Sequence, residues 1–239
     1  SVTPTLLPIA QLSTATTNIA LTVANLAGPD LTWTAHLANA TAPFAPTNSQ
    51  WHHSGTNDAW CLTTNRNWQG ESLWYCGNPL TRTYPVSSHA TLDTPPFTVG
   101  PGGGLYFRHW LQLEHDSGHH YWDGAILRLS TDGGLTFNLI TPLSGYPAQI
   151  TANPASPFPP DHPSLADTAG NWELVVVDLR DHSGHEVILR FEFGSDAYVV
   201  EEGWYLTDIT PFSYAESAPW LTPYHPRGRT LPAIWSATC

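Results

Sequence analysis

The chain has 239 residues, carries a formal net charge of −12, and has only 12% charged residues, against roughly 25% in an average soluble domain. Its eight basic residues are all arginines and form no basic run, which speaks against the phosphate neutralisation that nucleic-acid binding needs. No stretch reaches the roughly 18 consecutive apolar residues of a membrane span, and the surplus of carboxylates suits divalent cations instead.

Thr, Pro, Gly and Trp fill the places that charges leave, a balance favouring strands joined by turns. Methionine is absent, even at position 1. Ser1 is therefore expected to follow a removed leader, which fits a secreted or cell-surface protein.

In chain order, NIALTVAN at 18–25 alternates with the period of a strand. Gly28-Pro29-Asp30 is a turn signal and 31–37 reads as the returning strand. Residues 1–48 are thus expected to form a β extension or a donated strand, closed by a Pro-rich linker around 42–48. The main domain is expected over 49–212, with strands at 59–63, 73–75, 90–92, 104–113, 125–130, 136–140, 172–178, 186–193 and 203–209. Residues 154–163 hold five prolines and read as a surface loop. Residues 213–239 are expected to be a tail packed on the body or on a neighbour. Helical periodicity and fixed-spacing repeats are both lacking, which argues against a propeller or solenoid. The predicted fold class is all-β: a two-sheet antiparallel β-sandwich of jelly-roll type with an N-terminal extension.

Cys61 and Cys76 flank the hairpin-like run LTTNRNWQGESLWY. A disulfide is expected there, where a loop of roughly 15 residues would gain ~3 kcal/mol; two free thiols are the alternative. Cys239 is left over, free or paired between molecules. Asn39-Ala40-Thr41 is a glycosylation sequon of low specificity.

Strands can bring carboxylates together from distant positions, and that is how a β-domain builds a calcium site. Asp58, Glu114, Asp123, Glu202 and Asp208 are the candidate ligands of a structural Ca2+, with backbone carbonyls completing the sphere. Glu114 and Asp208 interrupt apolar strands, where an unpaired charge is costly; capping, or an ion pair to Arg108 or Arg190, is the competing explanation. His115, Asp116, His119, His120 and Asp123 form the densest imidazole cluster, a conceivable transition-metal site that reads better as polar loop surface. Ser130 to Phe137, STDGGLTF, has the form of an Asp-box, whose content is a tight hairpin. Among eleven tryptophans, Trp68 and Trp122 fall in polar turns and are the candidates for an exposed ligand platform.

Together the motifs resemble a known family. The order is Trp60-Cys61-Leu62-Thr63-Thr64-Asn65, Ser72-Leu73-Trp74-Tyr75-Cys76-Gly77, Leu92-Asp93-Thr94-Pro95 and Leu105-Tyr106-Phe107-Arg108-His109-Trp110. After Asp123-Gly124-Ala125 and the Asp-box come Val177-Asp178-Leu179, Ser183-Gly184-His185, Ile188-Leu189-Arg190-Phe191 and Gly203-Trp204-Tyr205-Leu206-Thr207-Asp208-Ile209. Over residues 51–212 this resembles the MAM-like jelly-roll module that follows the catalytic domain in immune-inhibitor-A-type secreted metallopeptidases. The resemblance implies a two-sheet sandwich, a structural calcium ion and an accessory role without chemistry of its own. The family's peptidase domain has no counterpart here, and no His-Glu-x-x-His occurs.

No nucleophile elbow, phosphate loop or dinucleotide fingerprint is present. The expected function is a non-catalytic, calcium-stabilised extracellular module that binds a protein or a glycan. A second reading is a structural subunit of an extracellular filament, joined to identical subunits by strand donation through residues 1–25. A secreted hydrolase is the third.

Overall fold

The computed structural model describes residues 20–21, 38–166, 170–214 and 233–234. Their strands are β1 (Ala20–Leu21), β2 (Ala38–Ala40), β3 (His52–Thr56), β4 (Trp60–Trp68), β5 (Glu71–Cys76), β6 (His89–Asp93), β7 (Phe97–Thr98) and β8 (Gly104–Gln112). They continue with β9 (Gly124–Ser130), β10 (Asn138–Leu139), β11 (Ala148–Gln149), β12 (Pro163–Ser164), β13 (Glu173–Asp178), β14 (Glu186–Gly194), β15 (Gly203–Tyr214) and β16 (Ala233–Ile234). The helical content of the described residues is a single 3-10 turn, Arg180–His182. None of their helices is long and apolar enough to cross a membrane.

The chain divides into two compact units, Asn39–Ser213 on the one hand and Ser1–Ala38 with Tyr214–Cys239 on the other. Of the second unit, the described residues show β1 antiparallel to β16, with Ala20 opposite Ile234. The rest of the expected 18–25 and 31–37 strands, and most of the 213–239 tail, lie outside the described residues.

The first unit is a two-sheet antiparallel β-sandwich. One sheet runs β10-β9-β14-β6-β3 with β7 beside β14; the other runs β13-β8-β15-β5-β4 with β2 beside β15. Each of the nine strands expected in the body overlaps an observed one. Alternation sets the two faces, because successive strand residues point to opposite sides. In β8, Leu105, Phe107, His109 and Leu111 face inward, as do Val187, Leu189, Phe191 and Phe193 of β14; all are buried. Phe191 meets Phe107 edge-on at 5.0 Å and Trp204 at 5.7 Å, joining the sheets at the centre of the core. Each such aromatic contributes about 1.5–3 kcal/mol by leaving water.

His109 is the polar exception in that core. It is 1% exposed, and Trp204 Nε1 donates to its Nδ1 at 3.3 Å. Burial lowers its pKa to about 4, so the ring is a neutral acceptor at physiological pH.

The expected disulfide does not form: Cys61 and Cys76 are free thiols. In the β4–β5 ladder Trp60 lies opposite Cys76 and Cys61 opposite Tyr75, so the cysteines are one rung out of step and project from opposite faces. Cys76 packs in the central core, whereas Cys61 lies against the outer cluster of Leu73, Tyr75, Trp110 and Tyr205. Burial raises the pKa of both thiols, which keeps them protonated.

Candidate metal centre

Three carboxylates converge where strands of both sheets end. Glu114 lies two residues past β8, Asp123 immediately before β9, and Asp196 two residues past β14. Antiparallel β9 and β14 pair Gly124 with Gly194, which places the residues flanking that rung side by side. Carboxylate oxygens of Glu114, Asp123 and Asp196 lie within 4.8 Å of one another.

Neutral donors hold the group in place. Tyr84 donates its hydroxyl to Asp123 Oδ2 at 2.6 Å and accepts the Glu114 amide at 3.0 Å. Burial pushes the Tyr84 pKa up, so the phenol stays a donor. The Asp196 amide donates to Asp123 Oδ1 at 2.7 Å. Asp196 itself accepts from Tyr198 N–H at 2.8 Å and from Asn153 Nδ2 at 2.6 Å.

No ion pair of the described residues involves any of the three. Asp123 is 0% and Asp196 2% exposed. Burial lifts the Asp123 pKa to about 7, more than the Tyr84 and Asp196 hydrogen bonds lower it. Glu114 is raised too, by burial and then by the charges of Asp196 and Glu201. Most telling, Glu114 Oε2 is buried without a hydrogen-bond partner, and an orphaned buried acceptor is costly. A hard divalent cation fits this donor set. Calcium takes oxygens at about 2.3–2.6 Å, so two ligands of one ion lie at most about 5 Å apart.

The structure thus brings together two of the five expected ligands, Glu114 and Asp123, and adds Asp196, which sequence reasoning missed. It holds the other three elsewhere. Asp58 receives His53 Nδ1 at 2.6 Å and the Trp60 amide at 3.1 Å, capping the β3–β4 turn. Glu202 is gripped by Arg66 Nε and Nη2, both at 2.6 Å, by Arg82 Nη2 at 2.6 Å and by Tyr205 Oη at 2.9 Å. Partial burial opposes its ionisation, but these partners outweigh burial and hold its pKa below the usual range. Asp208 sits in the β15 bulge between Thr207 and Thr210 with φ 54°, 3.5 Å from Arg108 Nε. Six residues of strand, about 20 Å, separate it from Glu202, so the two cannot share an ion.

The remaining candidates also have ordinary partners. His115 Nδ1 meets the Leu113 carbonyl at 2.9 Å, His119 Nδ1 the Tyr121 hydroxyl at 3.2 Å, and His120 pairs with Asp116 at 2.9 Å. Among the described residues no second group of three His, Cys, Asp or Glu side chains gathers. Trp68 is half-buried against Trp172 at 5.4 Å, with Arg108 over its ring at 4.9 Å, and Trp122 lies 5.9 Å from His120. In the Asp-box, Asp132 takes the Thr136 amide at 3.0 Å and its hydroxyl at 2.6 Å, closing the turn between β9 and β10. The Thr136 bonds draw the Asp132 pKa down to about 2.

No family model matches the chain. Over 166 residues, 66% of its length, it is 24% identical to Bacillopeptidase F of Bacillus subtilis (strain 168), of which that stretch spans 10%. Among solved structures it is similar to TmCBM61 in complex with β-1,4-galactotriose, at 12% identity and TM-score 0.39, covering 69% of this chain and 89% of that one. It is also similar to the K1 cleaved adhesin domain of Lys-gingipain from Porphyromonas gingivalis W83, at 14% identity and TM-score 0.40, covering 75% and 99%.

Proposed function

We propose that this chain is a non-catalytic extracellular binding module whose sandwich is stiffened by one calcium ion held by Glu114, Asp123 and Asp196. The observation that carries the reading is the buried, unpartnered Glu114 Oε2, beside two buried carboxylates that no cationic side chain of the described residues pairs with. Bound calcium supplies the positive charge that lets all three stay ionised. Tyr84 and Asn153 orient the carboxylates, and the cation joins the ends of β8, β9 and β14 across both sheets.

An accessory role agrees with the partial match to Bacillopeptidase F, since the chain corresponds to a tenth of that longer protein. The surrounding protein's activity is then carried elsewhere, and this module contributes attachment to a protein or glycan. The test is thermal unfolding of the chelator-stripped protein with calcium added back. A cation at 100-fold its Kd stabilises by about 2.7 kcal/mol, so the melting temperature rises by several degrees. A melting curve indifferent to both chelator and calcium would sink the reading.

A further inference from the structure

An open groove of about 800 Å3 lies beside the acidic cluster, with His119, Tyr121, Tyr146, Gln149, Thr151 and Asp161 among its lining. Both of its walls are tied to the cluster. The first wall, 119–121, belongs to the segment that leaves β8 at Glu114 and enters β9 at Asp123, so each foot of that segment is a cluster carboxylate. The second wall, 146–152, continues directly into Asn153, whose Nδ2 donates to Asp196 Oδ2 at 2.6 Å. The walls also clasp each other: the Tyr121 amide donates to Thr151 Oγ1 at 2.9 Å, and the Thr151 amide to the Tyr121 carbonyl at 2.7 Å.

The lining selects a ligand class. Among the described residues it contains no arginine, and Asp161 is its one carboxylate, so an anionic ligand finds no guanidinium to pair with. Its aliphatic members are small or buried, with Ala148 at 7% and Ile150 at 1% exposure, and none of the large exposed apolar side chains of the described residues borders it, so an apolar peptide finds no aliphatic anchor. What it offers is an exposed carboxylate, the Gln149 amide, the Thr151 hydroxyl and the His119 ring, whose Nε2 is turned away from its Tyr121 partner, beside the half-buried ring of Tyr146. Acceptors and donors spaced beside an aromatic ring suit a ligand that presents many hydroxyls and one apolar ring face. His119 and Asp161 also hold φ of 60° and 61°, a left-handed backbone that is uncommon outside glycine and is retained where surroundings over-determine it.

We propose that this groove binds a neutral oligosaccharide and that the cation at Glu114, Asp123 and Asp196 holds its two walls in register. The second half rests on the calcium reading above. The experiment is calorimetric titration of the full chain with short neutral hexose and pentose oligosaccharides, and with uronate and sialylated ones, each in calcium and in chelator. Melting temperatures are recorded in parallel. The variants are Gln149→Ala and Asp161→Asn in the groove and Glu114→Gln in the centre.

A neutral class is expected to bind in calcium. Each groove variant should weaken it about tenfold, roughly 1.4 kcal/mol, with an unchanged melting temperature, and chelator or Glu114→Gln should weaken it likewise. A melting temperature that responds to calcium with no neutral sugar bound, or with only acidic sugars bound, overturns the groove and leaves the metal centre standing. Sugar binding untouched by both groove variants overturns the assignment to this groove. Binding lost in the groove variants but equal with and without chelator overturns the cation's part alone, and a melting temperature blind to calcium overturns the centre itself.

Discussion

The backbone amide of Asp196 donates to Oδ1 of Asp123 at 2.7 Å, across 73 residues of sequence. One acidic residue thereby uses its main chain to orient another while its own carboxylate joins the same cluster. The bond holds the Asp123 carboxylate in place with no cation required, so hydrogen bonds alone shape the cluster.

Asp123→Asn removes one charge from the three, and its single oxygen can keep the Asp196 amide bond but not the Tyr84 bond as well. Without calcium the variant should melt close to the parent, because loss of the Tyr84 bond is offset by relief of a carboxyl whose own pKa burial lifts to about 7. In calcium it should lose the gain of about 2.7 kcal/mol expected at 100-fold Kd. Paired melting curves in chelator and in calcium check both signs; a variant as calcium-responsive as the parent would remove Asp123 from the ligand set.

The core histidine gives the fold a defined sensitivity to acid. With a folded pKa of about 4 and an unfolded one of about 6.5, His109 takes up its proton first in the unfolded chain. Its contribution is complete above about pH 6.5 and is lost as pH falls from there toward 4, by about 3 kcal/mol at most. Asp123 has the opposite sign in calcium-free buffer, since a raised carboxyl pKa makes stability fall as pH rises between about 3.8 and 7. Denaturant unfolding in calcium at pH 7 and pH 5, for the parent and for His109→Gln, isolates the histidine. Equal pH dependence in the two would contradict its burial as a neutral ring.

Cys61 and Cys76 should both alkylate when the unreduced protein is unfolded, and neither should label quickly when it is folded. Peptide mass spectrometry reads this directly. A Cys61–Cys76 bridge would require β4 to slip one rung, which would turn Trp60 out of the core.

Arg66 lies 3.5 Å over the Trp110 ring while gripping Glu202. Arg66→Ala should cost about 1–2 kcal/mol, from a bidentate charged hydrogen bond and a cation–π contact together. A double-mutant cycle with Glu202→Gln should show coupling of about 1 kcal/mol or more. Additive effects would mean that the fork carries no net energy.

The sandwich was legible because its inner strands alternate cleanly, as in Leu105, Phe107 and Leu111 or Val187, Leu189, Phe191 and Phe193. β3 was not, because all its side chains are exposed and leave no apolar period to detect. The carboxylate cluster was partly legible for a related reason. A carboxylate at a strand end is a visible signal, and Asp196 in Gly194-Ser195-Asp196 carries it as clearly as Asp123 does. What the sequence hides is which strand ends meet, and whether an arginine reaches the acid first, as Arg66 and Arg82 do at Glu202. The cysteine spacing misled because loop length sets separation, whereas ladder register sets the face.

β3 forms one rim of its sheet with five exposed residues, HHSGT, and the opposite rim is the two-residue β10. Gly55 lies there at φ 135°, where an added Cβ would come within 2.1 Å of the His89 carbonyl, so that position admits no side chain. A short, polar margin such as β3 gives a stray copy little to zip onto. The sheet is thereby protected from runaway self-templating along its β3 margin, where an ordered fibre would bury no greasy surface at the seam.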